Sequence, residues 1–219
     1  MRIIAGLFRG RRLKSVGGMH VRPTSDRLRE TLFDVLGVSV EGSVFLDAYA
    51  GSGAVGTEAL SRGAKYAIFI ENNPAAARIL EENLTSLGLR DRALVLHCLV
   101  RRGLRVIEER GLRAGFCFLD PPYAAENEYD SCLRWLSKFD VMEPAGLVIL
   151  QHSKKQPPEE CSGRWKRVRL LPQGSNALSF YRSDLGKRNE QSSKSPIAAK
   201  APTLRARSEE RRVGKECRL

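Results

Sequence analysis

Long apolar runs and a secretion signal are both missing from this 219-residue chain. No stretch approaches the roughly 18 to 20 apolar residues that a membrane-spanning helix requires, which argues against an integral membrane protein. The first residues, MRIIAGLFRGRRLKS, contain no apolar core followed by a cleavage site, so they do not read as a signal peptide. We therefore expect a cytoplasmic protein.

Side chains that bind metals or form disulfides are few and scattered. The three histidines are His20, His97 and His152, and the five cysteines are Cys98, Cys117, Cys132, Cys161 and Cys217. No two cysteines have CxxC spacing, and five is an odd number for a disulfide-bonded protein. We predict reduced thiols, buried for the most part, and no metal site.

Negative charge is also in short supply, because the formal net charge is +12. Between Met1 and Leu36 there are eight basic residues and three acids, and five of the eight lie between Arg2 and Lys14. A concentrated basic segment favours a polyanionic partner, since it attracts nucleic acid and releases counterions on binding. A solvated basic surface is the alternative.

The pattern of apolar residues predicts three regions. Residues 1–41 form a basic N-terminal extension, with a β-hairpin in RIIAGLFRGRRLKS and a helix in VRPTSDRLRETLFDVL. In residues 42–182 strands and helices alternate and end in a hairpin, WKRVRLLPQGSNALSFYR. This pattern indicates an α/β domain with a mostly parallel sheet of seven strands, helices on both faces and a C-terminal antiparallel hairpin.

The third region, residues 183–219, has few large apolar side chains and no periodicity, so we predict a disordered basic tail. Its segment RSEERRVGKEC resembles the translation of a sequencing adapter and is set aside from the fold argument. Without the tail the chain has 27 basic and 20 acidic residues, a net +7, so the body remains basic.

A glycine loop follows the first strand of the alternating region. VFLDAYAGSGAVG places Gly51, Gly53 and Gly56 in a G-x-G-x-x-G pattern, and Glu71 ends the next strand twenty residues after Gly51. The spacing fits a dinucleotide site. However, Asp47 lies four residues before the loop, where it would repel a pyrophosphate and attract a cation. The pattern therefore favours S-adenosylmethionine, with its ammonium and sulfonium, over a nicotinamide cofactor.

A third carboxylate ends the apolar strand FCFLDPPYAA. Asp120 precedes Pro121 and Pro122, which remove two N–H donors and leave the carboxylate and backbone carbonyls as acceptors. Such acceptors suit a planar amino group, whose nitrogen becomes positively charged when it is methylated. Tyr123 could stack on the ring that carries the amine. A stiff loop is the structural alternative.

These motifs together resemble a known family. DAYAGSGAVG, FIE and LDPPY occur in this order in Rossmann-like class I amino-methyltransferases that use S-adenosylmethionine. RIIAGLFRGRRLKS and VRPTSDRLRETLFDVL are similar to the N-terminal segments of RsmD-type bacterial methyltransferases, and QHSKK and ALSFYR also fit. The resemblance covers about residues 1 to 182. It implies methylation of the exocyclic N2 of one guanine in 16S rRNA of the small ribosomal subunit, of the guanine 966 type.

The resemblance also implies roles for individual residues. Those expected to hold the target amine and base are Asp120, Pro121, Pro122 and Tyr123. Those expected at the cofactor are Asp47, Ala50, Gly51, Gly53, Glu71, Asn72, Leu99 and Asp120. Those expected to meet RNA, either free or in a small-subunit particle, are Arg9, Arg11, Arg12, Lys14, Arg22 and Thr24. A monomer with no bound metal is expected.

Two positions depart from the family pattern. Leu99 stands where an acid usually faces the adenine of the cofactor, and Gln151 stands where a glutamate often precedes HSK. Because DPPY also occurs in DNA adenine and protein glutamine methyltransferases, it specifies the chemistry more than the substrate. Methylation of adenine N6 in DNA, or of another RNA base, therefore remains the alternative function. A nicotinamide oxidoreductase or a catalytically inactive RNA-binding module remains a third.

Overall fold

The computed structural model describes residues 1–15, 26–121 and 128–184. Five helices lie in this part of the chain: α1 (Asp26–Leu36), α2 (Ala54–Ser61), α3 (Pro74–Ser86), α4 (Val100–Glu109) and α5 (Glu128–Lys138). The strands are β1 (Val44–Asp47), β2 (Tyr66–Ile70), β3 (Ala93–Leu96), β4 (Ala114–Leu119), β5 (Met142–Ser153), β6 (Cys161–Ser162), β7 (Trp165–Gln173) and β8 (Asn176–Ser183). Strands and helices alternate from β1 to β5, and β7 and β8 follow as the last two long strands, as the apolar pattern predicted.

All eight strands form one sheet in the order β3-β2-β1-β4-β5-β8-β7-β6. The first five strands along this order pair in parallel, whereas β8, β7 and β6 pair antiparallel. The mostly parallel sheet and the C-terminal hairpin of β7 and β8 are therefore confirmed. The sheet has one strand more than expected, because the two-residue β6 pairs with the start of β7 at Trp165. So short a segment carries no periodicity that the sequence could reveal.

Helices cover both faces of the sheet, as predicted. On one face, α4 and α5 pack against the side chains of Leu46, Ile70 and Leu119 and of their neighbours. On the other face, α1 and α2 pack against an aromatic cluster that includes Phe45 and Phe118. Further along that face, α2 and α3 cover Phe69 and Ala67. Because successive side chains of a strand point to opposite faces, strands β1 to β5 contribute to the cores on both faces of the sheet.

Local sequence explains where the helices begin. Pro74 occupies the first turn of α3, and the side chain of Asn73 accepts hydrogen bonds from the backbone N–H groups of Ala75 and Ala76, at 2.9 and 3.1 Å. An N-cap of this kind satisfies donors that the helix itself leaves free. Thr24 and Ser25, which precede α1 in the sequence and are residue types that commonly cap helices, lie outside the described residues.

The N-terminal segment, defined here as residues 1–15, folds back on itself, and backbone hydrogen bonds join Ile3 to Arg11 and Leu13 to Met1. It makes one antiparallel bridge, between Arg2 and Arg12, and no longer strand. The buried side chains of Ile3 and Leu13 join the core beside α2 and α3. Helix α1 likewise packs on the sheet through Leu32 and Phe33. The boundary predicted at residue 41 stays a prediction, and the predicted tail lies outside the described residues beyond Asp184.

In the described parts of the chain, no helix is both long and apolar enough to cross a membrane. The same residues contain no cluster of three or more histidine, cysteine or acidic side chains arranged to hold a metal ion. The cysteines described there, among them Cys117 and Cys132, form no disulfide bond.

Candidate active site

The candidate site lies where the order of the strands reverses. The chain runs from β1 outward to β2 and β3, then returns to place β4 on the other side of β1. In open parallel sheets, ligands bind in the crevice beyond the carboxyl ends of the strands at such a switch point. Asp47 ends β1, while Glu71 and Asp120 directly follow β2 and β4. The fold thus brings the three predicted carboxylates to one edge of the sheet.

Asp47 is the most deeply buried of the three, with only 1% of its surface exposed. Its Oδ2 accepts a hydrogen bond from the backbone N–H of Gly56 at 2.9 Å, which ties the end of β1 to α2. Burial raises the pKa of Asp47 to about 7; the Gly56 hydrogen bond opposes this shift, and the negative charges of Asp120 and Glu71 add to it. The carboxylates therefore influence one another electrostatically, and a nearby cation would relieve their repulsion.

The glycines of the loop serve different purposes. Gly51 and Gly53 both adopt the left-handed backbone region, with φ of 55° and 82°, which favours glycine. A side chain at Gly53 would collide with Leu80 of α3, and one at Gly56 with the ring of Phe69. A Cβ at Gly51 would meet nothing within 4 Å. Gly51 therefore lies beside open space, where a ligand could approach the backbone.

Glu71, which was expected at the cofactor, is hydrogen-bonded to the glycine loop. Its Oε2 accepts a hydrogen bond from the N–H of Gly51 at 2.6 Å, and its Oε1 accepts one from Asn73 at 2.7 Å. Each carboxylate oxygen has a second lone pair, so these bonds leave capacity for the two ribose hydroxyls of a nucleoside. Glu71 also fixes the position of the glycine loop relative to β2.

Asp120 follows the fully buried strand β4 and is itself only partly exposed, while Pro121 is buried. Along β4, Phe116 and Phe118 face the α1 side of the sheet. Strand alternation places Asp120 on this side too, and Asp47, which contacts α2, shares it. The predicted partners Pro122 and Tyr123 lie outside the described residues, as do Arg22 and Thr24, so their roles stay predictions.

The remaining predicted cofactor residues lie along the same edge of the sheet. Ala50 is buried, and its N–H donates to the carbonyl of Ile70, which fastens the loop to β2. Asn72 is exposed beyond β2. Leu99 precedes α4 and is 65% exposed, so this apolar side chain faces open space at the position where the family pattern has an acid.

The four predicted basic residues within the N-terminal segment are all exposed, but they differ in their contacts. Lys14 pairs with Glu82 at 2.9 Å, and Arg11 donates to the carbonyl of Ser86 at 3.2 Å. Arg9 and Arg12 make no ion pair with any residue that the structure describes. Arg9 and Arg12 are therefore the more available of the four cations for a polyanion.

Two buried side chains that the sequence reasoning missed attach the N-terminal segment to the domain. Glu58 of α2 accepts hydrogen bonds from the N–H groups of Ile4 and Ala5, at 2.8 and 2.9 Å. Asn83 of α3 bonds to the backbone N–H and carbonyl of Lys14, and also donates to the carbonyl of Ser52 within the glycine loop. A single acid in the otherwise uncharged helix α2 was the available signal for Glu58, whereas nothing in the sequence distinguishes Asn83.

The residues that the structure describes fit a cationic nucleoside cofactor. Three carboxylates converge beside an open glycine, and one of them is kept from ionising readily by burial and by its neighbours. A pyrophosphate would add negative charge to this edge, whereas an ammonium or sulfonium would offset it. The sheet order and this site define the protein as a Rossmann-like class I methyltransferase, the class that depends on S-adenosylmethionine.

Comparison with known proteins narrows the class to a family. Residues 1–182 match the family described as "Conserved hypothetical protein 95", and the chain belongs to it. YlbH of Bacillus subtilis (strain 168) is 32% identical over 182 residues, which cover 83% of this chain and 98% of that protein. "Ribosomal RNA small subunit methyltransferase D" of Haemophilus influenzae is 36% identical over 160 residues, covering 72% and 81% of the two chains.

A solved structure supports the same assignment. A hypothetical protein of Thermus thermophilus superimposes with a TM-score of 0.71 and is 34% identical, covering 83% of this chain and 99% of that one. The expected resemblance to the RsmD-type family is confirmed by these matches.

Proposed function

We propose that this methyltransferase transfers a methyl group to the exocyclic N2 of one guanine in 16S rRNA of the small ribosomal subunit, of the guanine 966 type. The proposal depends above all on the position of Asp120. This carboxylate lies at the end of β4, close enough to Asp47 to raise the pKa of Asp47. The similarity to a small-subunit rRNA methyltransferase supports RNA as the substrate.

The proposed cofactor, S-adenosylmethionine, supplies an electrophilic methyl group when it is bound. Asp47 and the backbone at Gly51 and Gly53 would hold its methionine end, and Glu71 its ribose. Ala50, Asn72 and Leu99 would border the remainder. Asp47 and Ala50 are buried, and hydrogen bonds join Asp47 to Gly56 and Glu71 to Gly51, so this part of the site is already positioned before a cofactor binds.

In this proposal Asp120 binds and orients the nucleophile, which is the exocyclic amine of the target base. Its carboxylate accepts an N–H hydrogen bond from the amine, and the carbonyls of Asp120 and Pro121 are further acceptors nearby. Holding both N–H groups turns the nitrogen lone pair out of conjugation with the ring and directs it at the methyl group. The carboxylate would also stabilise the positive charge that develops on nitrogen, and Asp120 or water would take up the proton that the methylated amine loses. Pro122 and Tyr123 would complete this pocket.

In this proposal the basic N-terminal segment binds the RNA. Arg9, Arg11, Arg12 and Lys14 would neutralise phosphates, with Arg22 and Thr24 closer to the site. A base stacked in a helix cannot reach a pocket at the end of a sheet, so the target guanine leaves its stack or lies in an unpaired loop. We expect the enzyme to act as a monomer in the cytoplasm.

The test is methyl transfer from labelled S-adenosylmethionine to total RNA and to small-subunit particles that lack the modification, followed by nucleoside analysis. We expect label in N2-methylguanine and in no other nucleoside. Label in N6-methyladenine would favour the alternative amino-methyltransferase, and an absence of label would leave an RNA-binding module. Either result would refute the proposal.

A further inference from the structure

A buried glutamine beside the proposed amine site has one end of its carboxamide unpaired. Gln151 is 3% exposed, and its Oε1 has no hydrogen-bond partner among the residues that the structure describes. An unpaired buried carbonyl oxygen costs about 1–3 kcal/mol in a folded protein. Such a cost is most readily explained where the group meets a ligand.

The register of the sheet places Gln151 next to Asp120. Strands β4 and β5 run parallel, with Leu119 paired to Leu150, so Asp120 and Gln151 are the next residues of the two neighbouring strands. Ile149 faces the α1 side of the sheet, and alternation places Gln151 on that side as well. The neighbouring carboxamide and carboxylate thus share the side of the sheet on which the amine would be held.

An acceptor at this position distinguishes guanine from adenine. In guanine, two ring nitrogens lie beside the exocyclic 2-amine: N1, which carries a hydrogen and donates, and N3, which accepts. In adenine, the ring nitrogen beside the 6-amine is also N1, but it carries a lone pair and accepts. When Asp120 holds the amine of guanine, N1–H can donate a hydrogen bond to Oε1 of Gln151. When Asp120 holds the amine of adenine, the lone pair of N1 faces Oε1, and two acceptors meet without a hydrogen.

We propose that Gln151 is a specificity-determining residue, whose Oε1 accepts a hydrogen bond from N1–H of the target guanine; this rests on the proposed function. The bond satisfies a buried acceptor only when the correct base is present. A site built to pair with a donor strongly rejects an analogue that lacks it, because the buried group is then left unpaired.

The experiment compares two substrates that both carry the 2-amine. Small-subunit particles are reconstituted with RNA containing either guanine or 2-aminopurine at the nucleotide that the wild-type enzyme methylates. The base 2-aminopurine keeps the amine but has an acceptor at N1. We expect wild-type kcat/KM to be at least about 10-fold higher for guanine. In Gln151→Met, which has a similar shape and no acceptor, we expect the ratio to fall below about 3-fold.

Two further variants separate recognition from structure. Gln151→Glu retains an acceptor and should recover most of the guanine turnover that Gln151→Met loses. Gln173→Met removes another carboxamide whose Oε1 is unpaired among the described residues, at the end of β7, two strands away from β5 in the sheet. This control should keep the wild-type preference for guanine.

Thermal stability separates a role in recognition from a purely structural role, because loss of a structural residue would lower the midpoint of unfolding. Because Gln151→Met removes an unpaired buried acceptor, its midpoint of thermal unfolding should be no lower than that of the wild type, although its activity falls. A wild-type enzyme that uses both particles equally, or a Gln151→Met variant with an unchanged ratio, overturns this inference alone. A wild-type enzyme that methylates neither particle overturns the proposed function as well.

Discussion

The basic N-terminal segment and the acidic edge of the sheet use charge in opposite ways. In the segment, Arg9 and Arg12 are exposed, so their field extends into the solvent by about one Debye length, roughly 10 Å at 0.1 M salt, and attracts a polyanion that approaches. At the edge, Asp47 is buried, and burial together with its neighbours shifts its pKa to about 7. One region attracts a large ligand from a distance, whereas the other can select a small cation at close range.

The two regions also differ in what holds them in place. The carboxylates follow directly from three adjacent strands, so the sheet itself positions them. The basic segment has little regular structure and depends on side chains of other elements, chiefly Glu58 and Asn83. The side chain of Asn83 forms hydrogen bonds to Lys14 of the segment and to Ser52 of the glycine loop, so it connects the two regions. The comparison between the two regions can be tested by substitutions that change the residues of one region at a time.

The largest effect should come from Asp120→Ala, which removes the proposed acceptor of the amine. We expect kcat to fall at least about 1000-fold, because the developing charge loses its stabilising carboxylate. Cofactor affinity, measured by calorimetry, should stay within about 3-fold of the wild type. Asp91→Ala removes an exposed carboxylate away from the site and is the control. If cofactor binding is lost along with turnover, the role assigned to Asp120 is wrong.

The next effect concerns the attachment of the basic segment. Glu58→Ala leaves the backbone N–H groups of Ile4 and Ala5 without their acceptor and removes the ion-pair partner of Arg62. We expect the free energy of unfolding to fall by about 3 kcal/mol in urea denaturation. Glu109→Ala, on the exposed surface of α4, should change it by less than about 0.5 kcal/mol. Equal values for the two variants would show that Glu58 does not anchor the segment.

A smaller effect is expected from the exposed cations themselves. The double change Arg9→Ala and Arg12→Ala should weaken RNA binding about 10-fold and lower the slope of log K against log salt by about 1 to 2. Arg11→Ala should change less, since this side chain already donates to Ser86. Binding titrations at several salt concentrations measure both quantities. An unchanged slope in the double variant would exclude these two arginines as phosphate contacts.

The smallest effect concerns the pH dependence of stability at the acidic edge. The folded-state pKa of Asp47, about 7, lies above the ordinary value of 3.8 for this side chain. Between these values the folded protein binds more protons than the unfolded chain, so this residue makes stability fall as pH rises. Asp47→Asn should remove the decline, which amounts to about 1 kcal/mol between roughly pH 6 and pH 7.

Denaturant unfolding of both proteins at the two pH values measures this difference. Asp34→Asn, on the exposed side of α1, controls for the loss of one negative charge. A difference between wild type and Asp47→Asn that stays constant with pH would contradict the assigned cause.

The part of the site that lies at the ends of strands could be predicted from the sequence. Asp47, Glu71 and Asp120 each follow an apolar strand, and parallel strands bring their carboxyl ends to the same edge. The contacts of Glu71 with Gly51 and Asn73 were not predictable, because they depend on how the loop folds back on itself. The basic segment was recognised by its charge, and its two arms pair as in a short hairpin through the Arg2–Arg12 bridge. The sequence did not reveal that Glu58 and Asn83 bind the backbone of this segment.

By itself, the sequence determined the order of strands and helices, the apolar faces that bury them and the carboxylates that end three strands. These features are local, since periodicity and turn residues act over a few neighbouring positions. Only the tertiary structure decided which polar groups meet across long separations. Glu58 and Ile4 are 54 residues apart in the chain and form a hydrogen bond. Asp120 and Gln151 become neighbours because two strands pair in one register, and pairing at such distance leaves no local signal in the sequence.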